Sequence, residues 1–290
     1  MKSLNDQLDD LIKYWFAEDI GDGDHTSLSC IPATAMGKSR LIIKDTGVLA
    51  GVEVAKRIFH AFDPELKINV FINDGAEVKP GDVAFEVEGT VLSLLQTERL
   101  MLNIMQRMSG VATVTRKYAK CLEGLKTQVL DTRKTTPGLR YLEKEAVLIG
   151  GGMNHRIGLF DMILLKDNHV DFAGGITAAL TRAKAYCEEK GKDLRIEIET
   201  RSEDEIREAL ATNIPDRIML DNFSPERTKV AVEIIRTWEK ENGKHIEIES
   251  SGGITIDTLH DYAVTGVDFV SVGALTHSVK SLDMSFKALK

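Results

Sequence analysis

Residues 194–221 read LRIEIETRSEDEIREALATNIPDRIMLD. Two short apolar runs, LRIEIE and DRIMLD, flank a segment of helix formers with amphipathic spacing. Strand, helix and strand in succession imply a parallel βα unit. The pattern recurs on both sides. TQVL (127–130), DMILL (161–165), HIEIES (245–250) and VDFVSVG (267–273) supply further strands, and GGITAALTRAKAYCEEKGK (174–192) a further helix. A seventh strand is expected within EAVLIGGGMNH (145–155). Six or seven parallel strands suit an incomplete, TIM-like α/β barrel, and an open doubly wound sheet as well. No GxGxxG follows any of these strands, which weakens a dinucleotide-binding version.

The first hundred residues have another character. SRLIIKDTGVLAG (39–51) and AFEVEGTVLSLL (84–95) read as strands, and VEVAKRIFHAFD (52–63) and residues 94–120 as helices. The expected organisation is an N-terminal α+β domain over 1–110, a catalytic α/β barrel over 111–275, and a tail over 276–290 that folds back onto the first domain. Leu4, Leu8, Leu11, Trp15 and Phe16 fall at helical spacing, and acidic residues interrupt that stretch, so it reads as an amphipathic helix and not a signal peptide.

The 290 residues are 43% hydrophobic and 28% charged, a composition that supports a well-buried core. A formal net charge of −8 argues against nucleic-acid or anionic-membrane binding, and no apolar run is long enough to span a bilayer. Cys30, Cys121 and Cys187 stand far apart with no CxxC pair, which fits a reducing compartment and a cytoplasmic protein.

Against that acidic background, cations gather where strands end. TQVL runs into Asp131, Arg133 and Lys134, and DMILL into Lys166, Asp167, Asn168 and His169. Asn154, His155 and Arg156 lie between these two. LRIEIE ends at Glu199, DRIML at Asp221 and Asn222, HIEIE in Ser250, Ser251, Gly252 and Gly253, and VDFVSV at Gly273. Singly, each has a bland reading: a solvated arginine, a structural histidine, a carboxylate at a helix start. In a βα barrel, all of them converge on one mouth. Arg133, Lys134, His155, Arg156 and Lys166 would then repel one another unless a multiply anionic ligand sits among them. Arginine forks favour planar carboxylates or phosphates. Glu199 and Asp221, on neighbouring strands, suit a magnesium ion. SSGGIT (250–255) suits a phosphate, with the dipole of a following helix, DTLHDYAV, in support.

DTRKTTPGLR (131–140), GGGMNHRIGLFDMILLKDNH (150–169), IEIET (196–200), IMLDNFSPE (218–226) and IEIESSGGIT (246–255) resemble the quinolinate phosphoribosyltransferase family, as do AEDIGDGDHTS (17–27) and TERLMLNIMQRMSGVAT (97–113). The resemblance runs in order from about residue 17 to the end. It implies transfer of phosphoribose from phosphoribosyl pyrophosphate to quinolinate with loss of carbon dioxide, giving nicotinate mononucleotide for NAD synthesis. It implies a homodimer or an assembly of dimers with shared active sites. In the family pattern, Arg99 reaches quinolinate across the dimer interface, together with Arg133, Lys134, His155, Arg156 and Lys166. Lys134, Lys166, Glu199, Asp221, Ser251, Gly252, Gly253 and Gly273 take the phosphoribosyl pyrophosphate side. Catalysis falls to Lys134, Lys166, Glu199 and Asp221, with the metal on the last two. Three rivals have weaker support. A sibling transferase acting on nicotinate would need fewer cations. A lipoyl-type carrier hairpin at 73–90 lacks the exposed lysine turn. An EF-hand over 19–27 lacks the closing glutamate.

Overall fold

A computed structural model of the chain describes residues 4–289, with side chains from residue 7 onward. The side chain of Leu4, part of the expected N-terminal apolar stripe, and Lys290 of the tail lie outside the described residues. The chain begins with helices α1 (Leu4–Ile20) and α2 (His25–Cys30), strands β1 (Met36–Ile43) and β2 (Gly47–Val48), and helix α3 (Val52–Phe62). Strands β3 (Lys67–Val70), β4 (Glu77–Val78) and β5 (Val83–Thr90) lead into helix α4 (Val91–Cys121). Then come β6 (Gln128–Leu130), α5 (Arg140–Gly150), β7 (Ile163–Leu165), α6 (Asp167–Ala173), α7 (Ile176–Lys190), β8 (Ile196–Thr200) and α8 (Glu203–Ala211). The chain closes with β9 (Arg217–Asp221), α9 (Pro225–Asn242), β10 (Glu247–Ser251), α10 (Leu259–Ala263), β11 (Phe269–Ser271), α11 (Ala274–His277) and β12 (Met284–Ala288).

These elements form two compact units. The first holds the chain up to Arg116, the segment Thr135–Gly151 and the chain from Ser278 on; the second holds Lys117–Lys134 and Gly152–His277. This differs from the division drawn at residues 110 and 275. Helix α4 runs through 110 without a break, and Met108, Val111 and Ala112 are all buried, so the core does not end there. The segment 135–151 returns to the first unit because Glu143 on α5 is bonded to Arg107 on α4.

In the first unit, β12, β1, β5 and β3 form an antiparallel sheet in that order. Alternation along β1 sends Leu41 and Ile43 inward. Phe59, Phe85 and Phe286 meet as a three-ring cluster, with centroids 6.1 Å, 6.0 Å and 6.5 Å apart. Such pairs add about 0.5–1.5 kcal/mol each beyond their buried area. Phe286 comes from β12, so the C-terminal strand completes this core. The two strands within 73–90 do not pair with each other: β4 pairs with β2, and β5 with β1 and β3.

The second unit is built on a parallel sheet of six strands, in the order β6-β11-β10-β9-β8-β7. From β7 to β11, each new strand is laid beside the last in one constant direction, and β6, the first, lies beside β11. A doubly wound sheet reverses direction; this one never does. The order is that of a βα barrel opened between its first and second strands, and six strands fall short of the usual eight. The seventh strand expected in EAVLIGGGMNH is absent among the described residues. Most of that stretch belongs to α5, where Leu142, Ala146 and Val147 are buried at helical spacing. A single parallel bridge, Leu130↔Met153, is what remains of strand pairing there.

Alternation sorts the side chains of this sheet. Ile198, Ile218 and Ile248 are wholly buried on the face that takes the helices. The other face carries Glu197 and Glu199 on β8, Arg217, Met219 and Asp221 on β9, and Glu247, Glu249 and Ser251 on β10. The register aligns Glu197 with Arg217 and Glu247, and Asp221 with Ser251.

Candidate active site

At the C-terminal ends of the strands of the second unit lies a cavity of about 330 Å³. Its lining includes Arg133, Lys134, His155, Arg156, Lys166 and Ser251. The five groups expected to form a cationic side therefore face one hollow. Arg133 and Lys134 follow β6 on an exposed loop. Lys134 is held from both backbone ends: its N–H donates to Thr132 Oγ1 at 3.1 Å, and its carbonyl accepts from Thr276 Oγ1 at 2.9 Å. Its side-chain stem crosses Gly273. A Cβ at position 273 would come within 3.2 Å of Lys134 Cδ and 2.9 Å of His277 Nε2, so the glycine makes the room.

Arg156 is buried, and its Nη1 donates to the Met162 carbonyl at 3.1 Å. Burial and then the nearby Arg133 guanidinium push its pKa down, against a weaker opposite pull from Glu197 and Asp161. Lys166 stands at the N-cap of α6, where its backbone N–H donates to His169 Nδ1 at 3.0 Å. Its Nζ reaches Glu199 Oε2 at 2.9 Å, tying the cationic side to the acidic one.

His155 links the cavity to a layer of buried charge beneath it. Buried Asp131 accepts the His155 backbone N–H at 2.8 Å. The ring Nε2 lies 3.0 Å from Glu197 Oε2 and 3.4 Å from Glu249 Oε2. Arg217 Nη1 reaches Glu249 Oε2 at 2.9 Å, while its other nitrogens hold Glu247 and its guanidinium stacks on the Phe269 ring. Burial alone would push the His155 pKa down; Glu197 and then Glu249 outweigh it and raise the value to about 9. Glu197 is itself raised to about 6, by burial first and Glu249 second. His155, Glu197 and Glu249 offer ligand atoms within 4.8 Å of one another. Arg217 and the histidine already supply positive charge there.

Glu199 and Asp221 end adjacent strands, with Glu199 opposite Met219 and Asp221 opposite Ser251. Two hard carboxylate donors on neighbouring strand ends fit a magnesium ion. Asp221 Oδ2 accepts from Asn222 Nδ2 at 2.8 Å. The loop beyond Ser251 takes a left-handed turn at Gly252 (φ 103°) and Gly253 (φ 62°), and position 253 faces open space. The helix expected behind this loop is present but short: α10 begins only at Leu259 and runs five residues, so its dipole is small. The backbone of the loop itself remains to meet a phosphate.

Arg99 lies in the first unit, on α4. The sequence suggests an apolar stripe of Leu95, Leu102 and Met105 with Arg99 beside it; Leu102 and Met105 are buried, but Leu95 is 42% exposed and Arg99 is exposed as well. Among the described residues no salt bridge involves Arg99. Thr132, Leu164, Met219, Glu249 and Ser271 also line the cavity and were not singled out from sequence. Period-two alternation would have found two of them: Glu249 shares a face with Ser251, and Met219 with Asp221.

Glu199 and Asp221 do not line the hollow themselves; they adjoin it through Lys166 and Ser251, and parallel strand ends that gather cations in this way define an α/β enzyme for a small anionic substrate. The comparisons with known proteins narrow that class. Residues 24–109 match the quinolinate phosphoribosyl transferase N-terminal domain, and residues 111–287 the C-terminal domain of the same name. The chain belongs to the quinolinate phosphoribosyl transferase family. It is 41% identical to quinolinate phosphoribosyltransferase [decarboxylating] 2b of Nicotiana tabacum, over 97% of this chain and 82% of that one. It is also 41% identical to a probable nicotinate-nucleotide pyrophosphorylase [carboxylating] of Bacillus subtilis, over 96% and 92%. The crystal structure of NadC from Streptococcus pyogenes superposes with a TM-score of 0.90 at 38% identity, covering 100% of both chains. No helix among the described residues is long and apolar enough to cross a membrane.

Proposed function

We propose that this protein transfers phosphoribose from phosphoribosyl pyrophosphate to quinolinate and releases carbon dioxide, forming nicotinate mononucleotide. The observation that carries the reading is the meeting of Arg133, Lys134, His155, Arg156 and Lys166 around one cavity. A dicarboxylate neutralises such a cluster better than a monocarboxylate does.

The residues divide the work. Arg133, Arg156 and His155 orient the two carboxylates. The ring nitrogen, with its lone pair free, attacks the anomeric carbon as the bond to pyrophosphate breaks and the bonding pair leaves with pyrophosphate. Positive charge grows on the ribose in a loose transition state, and Glu199 and Asp221 stabilise it. The same two carboxylates would hold magnesium, which when bound neutralises pyrophosphate charge. The nitrogen is now a pyridinium. The bond from the adjacent ring carbon to its carboxylate breaks, carbon dioxide departs, and the electron pair left on carbon is stabilised beside the cationic nitrogen. A proton then adds to that carbon, and Lys134 and Lys166 are the acids at hand. Burial around Arg156 strips water from the departing carboxylate, which favours its loss.

The reading includes a homodimer in which Arg99 serves the partner's cavity, and a reducing, cytoplasmic compartment for the free cysteines. Arg99→Ala and Lys134→Ala proteins, each inactive alone, should regain part of the activity when mixed dimers form. No recovery contradicts the shared site. The main test is labelled carbon dioxide release from quinolinate. Release should require both phosphoribosyl pyrophosphate and magnesium. Turnover of nicotinate at a comparable rate would transfer the assignment to a sibling enzyme.

A further inference from the structure

Asn222 stands next to the acidic side of the site, and the proposed chemistry gives it no part. Its backbone is left-handed (φ 56°), one of two such non-glycine residues described. That conformation is disfavoured for a residue with a side chain, though asparagine tolerates it better than most. Three contacts hold it there. The backbone N–H donates to the Ser251 carbonyl at 2.9 Å. The side-chain Nδ2 donates to Asp221 Oδ2 at 2.8 Å. The Oδ1 edge lies directly over Gly252: a Cβ at position 252 would collide with Oδ1 and lie 2.7 Å from Cγ and 3.0 Å from the backbone nitrogen. The amide cannot be turned the other way, because its oxygen would then face the Asp221 carboxylate. The next residue is anchored too. Phe223 is buried, its carbonyl accepts from Tyr262 Oη at 3.0 Å, and Arg227 stacks on its ring at 4.1 Å.

One residue thus meets Asp221 and Gly252 through its side chain and Ser251 through its backbone N–H. We propose that Asn222 is a positioning residue that aims the Asp221 carboxylate and fixes the 251–253 loop as a single receptor for the metal and the phosphoribosyl pyrophosphate. The left-handed turn brings the amide back over the strand end, so that strands β9 and β10 present their ends in register. Gly252 is the complement of this arrangement: the loop passes beneath the amide only without a side chain. The inference rests on the proposed function for the identity of the ligand, but its geometry does not.

The test separates the two. Magnesium-dependent binding of phosphoribosyl pyrophosphate, and separately of quinolinate, is measured by calorimetry on the intact protein. Asn222→Gly keeps the left-handed backbone at no steric cost and removes the amide. Asn222→Asp keeps the shape and sets two carboxylates side by side. Both should weaken magnesium–phosphoribosyl pyrophosphate binding, roughly tenfold for Gly and more for Asp. Quinolinate binding should stay within about twofold of the wild type. A second readout needs no ligand. Gly252→Ala should lower the melting temperature less in the Asn222→Gly background than in the wild type, because the clash partner is gone. If wild-type protein fails to bind phosphoribosyl pyrophosphate, the proposed function fails. If it binds and the Asn222 variants bind equally well, or the two substitutions act additively, the positioning role is overturned.

Discussion

Glu143 in the first unit and Glu197 in the second are both 0% exposed, yet their surroundings are opposite. Glu143 accepts from Arg107 Nε at 2.9 Å and Nη2 at 2.7 Å, from Thr136 Oγ1 at 2.8 Å and from the Thr136 N–H at 3.0 Å. It has a full set of donors and binds the segment after the cationic loop to helix α4. Glu197 faces His155 Nε2 across 3.0 Å with the Glu249 carboxylate close by, and it has no set of donors like that of Glu143. A buried carboxylate with four donors is a structural joint. One that shares a single histidine with a second carboxylate depends on charge far more, and it raises the proton affinity of that histidine. The contrast separates a residue that maintains the fold from one that sets the electrostatics of the cavity above it.

Removing the structural joint should have the largest effect. Glu143→Ala leaves Arg107 and Thr136 without their acceptor and should cost about 3–5 kcal/mol in urea unfolding. A loss below ~1 kcal/mol would mean that water or another acceptor takes its place. At the cavity the balance reverses. Lys166→Ala should lower turnover roughly 10²–10³-fold while its melting temperature stays within a few degrees of the wild type. Equal damage to folding there would erase the distinction.

A smaller effect concerns pH. The His155 pKa rises on folding from 6.5 to about 9, so the folded state binds more protons than the unfolded state between those values. Stability from this group is complete below pH 6.5 and falls as the pH rises to about 9. The loss should be on the order of 1–3 kcal/mol, read from denaturation curves across that range. His155→Gln should flatten the curve, and a slope unchanged by the substitution would assign the titration elsewhere. The smallest change is expected for Glu197→Gln. It keeps the shape and removes one of the two counter-charges of His155, so the alkaline fall should move to lower pH by about half a unit to one unit. No movement would show that Glu249 alone sets the histidine.

Much of this was legible in the sequence because one regularity carried it. Period-two alternation in IEIET, RIMLD and IEIES gives strand position and side-chain direction at once, which places Glu199, Asp221 and Ser251 at strand ends. The charges after TQVL and DMILL were visible for the same reason. The apolar run in EAVLIGGG was misread because a short apolar stretch fits a strand or one face of a helix equally well, and only tertiary packing decides. The return of 135–151 to the first unit depends on Arg107 and Glu143, which meet through the fold and carry no local signature. The buried layer of His155, Glu197, Arg217 and Glu249 was half visible. Alternation places the strand residues on one face, but which charges neutralise which is a property of the assembled sheet.

The central claim is that the cavity is charged for a diacid. Calorimetric titration of quinolinate and of nicotinate into the protein at one pH and one salt concentration tests it most directly. Quinolinate should bind at least about tenfold more tightly, because its second carboxylate meets cations that nicotinate leaves uncompensated. Equal affinities would contradict the account, since the cluster of Arg133, Lys134, His155, Arg156 and Lys166 would then be doing something other than holding two carboxylates.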